Sequence, residues 1–226
     1  CDACFMELRH EWKHLITAAD RLAIRQRLLV IAAPDSHGEQ GRYFVRSLYF
    51  DNPQDKALRE KLDGVSRREK FRIRCYDLDD SLIHLECKRK IGGLGHKDSC
   101  LLTPEEVHQI RQGQLDWMIQ DDRSLVRELY CKMRTQGLQP KTLVDYTREA
   151  FVYAPGNVRV TLDYDIRTGL GCTDLLDADC PTIPVPGNPI ILEVKWDAWL
   201  PDIIRDAIQL ENVRTSAFSK YAACRT

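Results

Sequence analysis

Charged residues recur at every second position along several β-rich stretches of this chain. Arg72 and Arg74 stand two apart, as do Glu86, Lys88 and Lys90. Tyr146 and Arg148 repeat the spacing, then Arg159, Thr161, Asp163 and Asp165, then Glu193 and Lys195, with Glu11 and Lys13 near the N-terminus. Side chains two apart on a strand share a face. On several stretches the alternate positions are apolar: Phe71 and Ile73, Leu85 and Cys87, Val158, Val160 and Leu162, Leu192 and Val194. One such strand alone reads as a half-exposed sheet with a solvated face. Recurrence on most of the long strands points elsewhere. A sheet whose apolar face packs outward against helices can close around its charged face, which then lines a pore or tunnel. Arg and Lys in that space need an anionic partner. Several cations with fewer carboxylates favour a polyanion and leave the carboxylates to hold a divalent metal. Phosphate chains suit that description, because guanidinium groups read phosphate oxygens bidentately and ammonium groups supply compact charge.

The elements that would position these residues can be read from caps and turns. Glu7–Ile16 reads as a strand, and Thr17 with Asp20 forms a capping box for a helix carrying Leu22, Ile24, Leu28, Leu29 and Ile31. Asp35–Gly41 reads as a loop, Tyr43–Phe50 as a strand, and Gln54–Leu62 as a helix ending at Asp63-Gly64. Lys70–Tyr76 and Leu82–Lys90 read as a hairpin joined through Asp77–Ser81. Gly92, Gly93 and Gly95 read as a flexible break. Thr103-Pro104-Glu105-Glu106 starts another helix, and a helix over Asp122–Thr135 is stopped by Gly137 and Pro140. Strands are predicted at Thr142–Tyr153, Val158–Arg167 and Pro189–Trp196, with the proline-rich stretch Thr182–Pro189 as a loop. Pro201 opens a short helix through Leu210. Many strands, with helices at the start, middle and end, give a single α+β domain over residues 1–226, its antiparallel sheet or barrel packed outside by helices.

Composition narrows the function classes. A chain of 226 residues with 43% hydrophobic content can bury one substantial core. No apolar run approaches the ~18 residues of a membrane span, and no secretory leader opens the chain. Lys+Arg 33 against Asp+Glu 34 gives a net charge of -1, so bulk charge does not point to nucleic acid or membrane. Nine cysteines without a dense spacing read as reduced thiols in a cytoplasmic protein, and Cys172 with Cys180 is poorly spaced to complete a zinc site with Cys1 and Cys4. His10, His14, His84 and His96 form no convincing metal-ligand pair, and there is no GxxxxGK[ST] nucleotide fingerprint.

Eight short motifs in one order resemble the VTC-type polyphosphate polymerase domain. They are Glu11-Trp12-Lys13, Tyr49-Phe50-Asp51-Asn52-Pro53, Lys70-Phe71-Arg72-Ile73-Arg74-Cys75-Tyr76, Leu85-Glu86-Cys87-Lys88, Asp145-Tyr146-Thr147-Arg148-Glu149-Ala150-Phe151, Val158-Arg159-Val160-Thr161-Leu162-Asp163, Ile191-Leu192-Glu193-Val194-Lys195 and Phe218-Ser219-Lys220-Tyr221. That domain is the catalytic module of the vacuolar transporter chaperone complex and of free-standing bacterial relatives, within the CYTH-like triphosphate tunnel metalloenzymes. The resemblance implies a tunnel of antiparallel strands that takes ATP and polyphosphate with Mn²⁺ or Mg²⁺. It implies that Lys13, Arg72, Arg74, Lys88, Arg148, Arg159 and Lys220 act on the transferring phosphates. Lys61, Lys97, Tyr146, Lys195 and Ser219 are expected to bind phosphate. Glu193 is expected to ligate the metal, with Glu11 as a second ligand or a salt-bridge partner. Glu86 is expected to be a salt-bridge partner. The expected reaction passes the γ-phosphate of ATP to the growing chain. The alternatives are a triphosphatase of the same superfamily, or a module that binds polyphosphate without catalysis. No motif speaks to the oligomeric state.

Overall fold

A computed structural model describes residues 9–91, 94–169, 171–209 and 219–225. The elements run β1 (His10–Ile16), α1 (Ala18–Ile31), β2 (Ala33–Pro34), β3 (Arg42–Asp51), α2 (Lys56–Leu62), β4 (Arg67–Tyr76), β5 (Ile83–Ile91), β6 (Leu94–Leu102), α3 (Pro104–Gln112), α4 (Ser124–Gln136), β7 (Gln139–Tyr153), β8 (Val158–Gly169), β9 (Thr182–Pro184), β10 (Ile190–Trp196), α5 (Asp202–Ala207) and α6 (Lys220–Ala223). The strands pair antiparallel, so the expected α+β class holds. No helix among the described residues is long and apolar enough to cross a membrane.

The chain divides into two compact units. The first draws on Cys1–Phe44, Tyr146–Ile166 and Pro184–Ser219, the second on Val45–Asp145, Arg167–Ile183 and Lys220–Thr226. Divisions fall inside β3, β7, β8 and β9, so each of these strands supplies residues to both units.

In the first unit, β1 pairs with β10 and β10 with β8. The alternate residues expected to be apolar do form the core: Val158, Val160 and Leu162 of β8 and Leu192 and Val194 of β10 are buried with Ile24 and Leu28 of α1 and Ile204 of α5. The capping box that starts α1 is present in both halves, with the Asp20 amide donating to Thr17 Oγ1 at 3.1 Å and the Thr17 amide to Asp20 Oδ2 at 3.1 Å. It satisfies amides that the first turn leaves without carbonyl partners.

In the second unit, β3, β4, β5 and β6 pair in sequence. Leu48, Phe50, Phe71, Ile73, Leu85 and Cys87 form its core with Val107 and Ile110 of α3 and Val126 and Leu129 of α4. Thr103 caps α3 through its own box with Glu106, and Pro104 fills the first helical position, where an amide is not needed. Gly113 ends the helix at φ 73°, a left-handed conformation that glycine adopts without steric cost.

Several expectations are corrected. Gly95, read as part of a flexible break, lies in β6, which pairs with β5 from Ile83 opposite Leu102 to Ile91 opposite Leu94. Its sequence lacks an apolar alternation, and the partner strand's hydrogen-bonding edge supplies the order instead. Gly92 and Gly93 lie outside the described residues, as do Glu7 and Leu210. β7 starts at Gln139, ahead of Pro140, since proline is tolerated at the start of a strand. Thr182–Pro184, read as loop, forms β9 against β8. The cysteines are not all reduced: Cys172 and Cys180 form a disulfide, their Cα atoms 6.2 Å apart. The intervening segment turns back because Leu175 is fully buried in the second unit's core and the Asp177 carbonyl accepts a hydrogen bond from Arg46.

Candidate functional site

In the first unit the β1–β10 ladder carries a checkerboard of charge. Lys13 stands opposite Glu193, and Glu11 opposite Lys195. Lys13 Nζ lies 2.7 Å from Glu11 Oε1 and 3.2 Å from Glu193 Oε2, and Lys195 Nζ lies 2.9 Å from Glu193 Oε1. Opposite charges on facing strand positions stabilise the pairing. Burial opposes the Lys13 charge, yet the Glu193 and Glu11 carboxylates hold its pKa above the ordinary lysine value. Glu193 is buried, and the ladder sets Thr161 of β8 directly opposite it. The Thr161 hydroxyl is also buried and has no hydrogen-bond partner among the described residues.

The remaining first-unit residues come from β7 and β8. Arg148 donates to both carboxylate oxygens of buried Asp163, at 2.7 and 2.8 Å, and its guanidinium lies 5.4 Å from the centre of the Tyr146 ring. Burial works against this charge, but Asp163, Tyr146 and Glu193 raise the Arg148 pKa well above its usual value. Arg159 stands opposite Lys195 and reaches Asp35 Oδ2 at 2.6 Å and the Tyr43 hydroxyl at 2.8 Å. Burial likewise opposes the Asp35 charge, and its hydrogen bond to His37 and the Arg159 guanidinium hold its pKa below the usual carboxylate value. Four cations of the expected set therefore sit on one stretch of sheet, each beside a carboxylate. Glu11 pairs with Lys13.

In the second unit the ladders build one row of like charge and two mixed rows. Lys70 of β4 faces Lys88 of β5, which faces Lys97 of β6. The next row reads Tyr49, Arg72, Glu86, Ser99, and the one after it begins Ser47, Arg74, His84. One carboxylate, Glu86, serves three cations: Arg72 Nε at 2.6 Å, Lys97 Nζ at 3.1 Å and Arg74 Nη1 at 3.8 Å. Burial would raise its pKa, but the fields of Arg72, Arg74 and Lys97 hold it well below the ordinary carboxylate range. Arg74 also donates from Nε to Ser47 Oγ at 2.9 Å, and Arg72 from Nη1 to Tyr49 Oη at 3.0 Å. Glu86 is thus a salt-bridge partner, as expected.

α6 is tied to the same unit. Tyr221 donates its hydroxyl proton to Asp51 Oδ2 at 2.5 Å, and its ring stacks on Tyr49 with centres 5.1 Å apart. Asp51 accepts from the Ala57 amide as well, so one buried carboxylate anchors both α2 and α6. Lys220 begins α6, Ser219 directly precedes it, and Lys61 sits half-buried in the last turn of α2. Lys70, Tyr49 and Ser47 escaped the sequence reading. Lys70 was visible as the first member of the Lys70, Arg72, Arg74 alternation. Tyr49 and Ser47 carried no such mark, because their role comes from the β3–β4 register.

The carboxylates suit only a restricted kind of metal site. Among the described residues no three His, Cys, Asp or Glu side chains are grouped to hold an ion. Mg²⁺ and similar hard ions are commonly held by one or two carboxylates together with substrate phosphates and water. Glu193, with Glu11 beside it and the unpartnered Thr161 oxygen opposite, matches that pattern of donors.

A family model described as the VTC domain matches residues 8–226. Comparison with curated proteins gives no match. Among solved structures, the chain is similar to a putative adenylate cyclase from Bacillus halodurans at 14% identity and a TM-score of 0.49, over 84% of this chain and 80% of that one. It is similar to the PH1012 protein of Pyrococcus horikoshii at 13% identity and a TM-score of 0.45, over 92% and 94%. It is also similar to a chain of the Schizosaccharomyces pombe Mediator head module at 10% identity and a TM-score of 0.45, over 88% of each.

Proposed function

Since the chain belongs to the VTC domain family, we propose that it is a polyphosphate polymerase that moves the γ-phosphate of ATP onto a growing polyphosphate chain within a basic, metal-dependent tunnel. The observation that carries this reading is the Lys70–Lys88–Lys97 row beside Arg72 and Arg74. A chain of phosphates laid across the row would meet cations from three adjacent strands, with guanidiniums taking non-bridging oxygens in pairs and ammoniums acting as point charges.

In the reaction a terminal oxygen of the polyphosphate attacks the γ-phosphorus. The bond from that phosphorus to the β,γ-bridging oxygen breaks, ADP leaves, and the chain gains one phosphate. Such transfers need alignment and charge neutralisation more than a protein nucleophile. Arg72, Arg74 and Lys88, with Lys61 and Lys97, hold phosphate oxygens in the second unit. Lys13, Arg148, Arg159 and Lys195 do so in the first, where Tyr146 packs beside the Arg148 guanidinium. Ser219 and Lys220 contact the growing end. Glu193, helped by Glu11, would hold Mn²⁺ or Mg²⁺, and the ion would supply neutralisation of charge on the phosphate oxygens.

The competing hydrolytic reading needs carboxylates available for metal and water. Glu86 is committed to three cations, which argues against it. The deciding assay incubates the protein with ATP and Mn²⁺ and follows ADP, free phosphate and acid-insoluble polyphosphate. Polymer rising with ADP supports the polymerase. Free phosphate equal to ADP, with no polymer, identifies a triphosphatase. Neither product, with retained affinity for polyphosphate, identifies a binding module.

A further inference from the structure

We propose that Tyr49 is a further phosphate-binding residue, whose hydroxyl oxygen, held by Arg72, takes up a proton when phosphate enters the second-unit cluster. This deepens the proposed function and rests on the reading of that cluster as a phosphate site.

The geometry begins with the β3–β4 register, which sets Tyr49 opposite Arg72. Tyr49 is only 7% exposed, and its oxygen accepts the Arg72 Nη1 hydrogen bond at 3.0 Å. Arg72 uses its other side on Glu86, which it shares with Arg74 and Lys97. Glu86 is thus shared among three cations, and the Tyr49 oxygen is a further acceptor for Arg72. Burial favours the neutral phenol, while the guanidinium whose hydrogen bond the oxygen accepts favours the phenolate.

The surroundings carry the same sign of field. β4 contributes Lys70, Arg72 and Arg74, β5 contributes Glu86 and Lys88, and β6 contributes Lys97. From α6 come Tyr221, stacked on the Tyr49 ring, and Lys220, with Arg225 just beyond them donating to the Tyr221 hydroxyl at 3.1 Å. Lys70 Nζ lies 5.3 Å from the Tyr221 ring centre. On β3 itself, Asp51 is engaged by Tyr221 and by the α2 amides. From β7, Asp145 is paired with Arg46, and Lys141 lies 3.6 Å from Asp55. Burial would raise the Tyr49 pKa, but Arg72, Arg74 and Lys70 bring it down to about 7. The neighbouring hydroxyl behaves oppositely: burial and the hydrogen bond to Asp51 push the Tyr221 pKa above the ordinary tyrosine value.

A phosphate group arriving on Arg72 and Arg74 supplies the negative charge the phenolate had provided and repels it. Tyr49 then binds a proton and can donate it to a phosphate oxygen. The sign follows from linkage. Below about pH 7 Tyr49 is already protonated, so phosphate binding moves no proton there. Between that point and the ordinary tyrosine range, each binding event takes up about one proton, and affinity falls by up to about tenfold per pH unit.

The test uses the full chain, its Tyr49→Phe and Tyr221→Phe variants, and inorganic tripolyphosphate as probe. The tyrosinate absorption band is titrated without and with the probe. Binding is measured by calorimetry in two buffers of different ionisation enthalpy, which counts the protons taken up. In the wild type and Tyr221→Phe, a tyrosinate step near neutral pH should move upward on binding, with proton uptake. Tyr49→Phe should lack both, and its affinity relative to wild type should rise with pH. Comparing variants on one ligand cancels the ligand's own ionisation. Absence of a neutral tyrosinate step, or its survival in Tyr49→Phe, overturns the proposal even where tripolyphosphate binds tightly. So does tight binding that leaves the step unmoved. If tripolyphosphate does not bind while the step is present, the phosphate-site reading fails, and the linkage falls with it.

Discussion

At the scale of single residues, the two carboxylates nearest the cations serve different purposes. Both oxygens of Glu193 are engaged by lysines, Lys13 and Lys195. On the proposed reading, divalent binding there would exchange one of those contacts for an ion and its phosphate. Glu193→Gln should therefore keep the fold, since amide and carboxylate are nearly isosteric, and should lose more than about a hundredfold in turnover. Circular dichroism with an ATP-turnover assay checks this, and activity within twofold of wild type at saturating Mn²⁺ removes Glu193 from the metal site. Glu86 instead holds Arg72, Arg74 and Lys97 in the empty protein. Glu86→Gln leaves these cations without their shared carboxylate and should lower stability by about 3 kcal/mol, the scale for breaking a buried pair. Tripolyphosphate should restore more stability to this variant than to the wild type. The same residue sets an acid dependence. Its folded pKa lies below its unfolded value, so its stabilisation is present above the ordinary carboxylate range and is lost as pH falls through the depressed value. Glu86→Gln should flatten that limb of the stability curve in thermal melts. An unchanged melting temperature and an unchanged acid limb would show that the three cations do not depend on Glu86.

At the scale of elements, β4, β5 and β6 build the lysine row, and the row exists only because β6 forms. Lys88, at its centre, faces a lysine on either side. Replacing it by alanine should remove attraction for phosphate. Lys88→Ala is therefore expected to weaken tripolyphosphate binding by about 1.5–3 kcal/mol, the range for a hydrogen bond to a charged group, and tripolyphosphate should raise its melting temperature less than that of the wild type. Calorimetric titration alongside a thermal melt measures both. Lower stability with unchanged affinity would mark Lys88 as structural. α6 belongs to this scale too. It is a four-residue helix with little stability of its own, docked by the Tyr221–Asp51 hydrogen bond and the Tyr49 stack.

At the scale of the whole molecule, cations reach the clusters from β1, β4, β5, β6, β7, β8 and β10. That is more positive charge than one triphosphate needs, and it suits a ligand with many phosphates. A polymerase with this endowment should bind its own product. Short polyphosphate added to the ATP reaction should shorten any lag and raise the early rate of ADP release, with free phosphate remaining a small fraction of ADP. The affinity for long polyphosphate should fall steeply with salt, because each neutralised phosphate releases a counterion. A lag insensitive to added polyphosphate, together with free phosphate equal to ADP, would turn the reading to hydrolysis.

Strand alternation is a local property, so the charged and apolar faces of β4, β5, β8 and β10 were legible from spacing alone, as were the two Thr-led capping boxes, whose partners lie three residues away. The order of the eight motifs sufficed for the family. Register is not local. Lys70, Lys88 and Lys97 make a row, and Tyr49 meets Arg72, only because strands distant in sequence align at those positions. β6 has too little apolar alternation to announce itself and takes its order from the edge of β5. The Cys172–Cys180 bridge follows from the burial of Leu175, which turns the segment between them back on itself. The shared carboxylate of Glu86 and the unpartnered hydroxyl of Thr161 likewise depend on which neighbours tertiary packing brings within a few ångströms, a distance the sequence does not encode position by position.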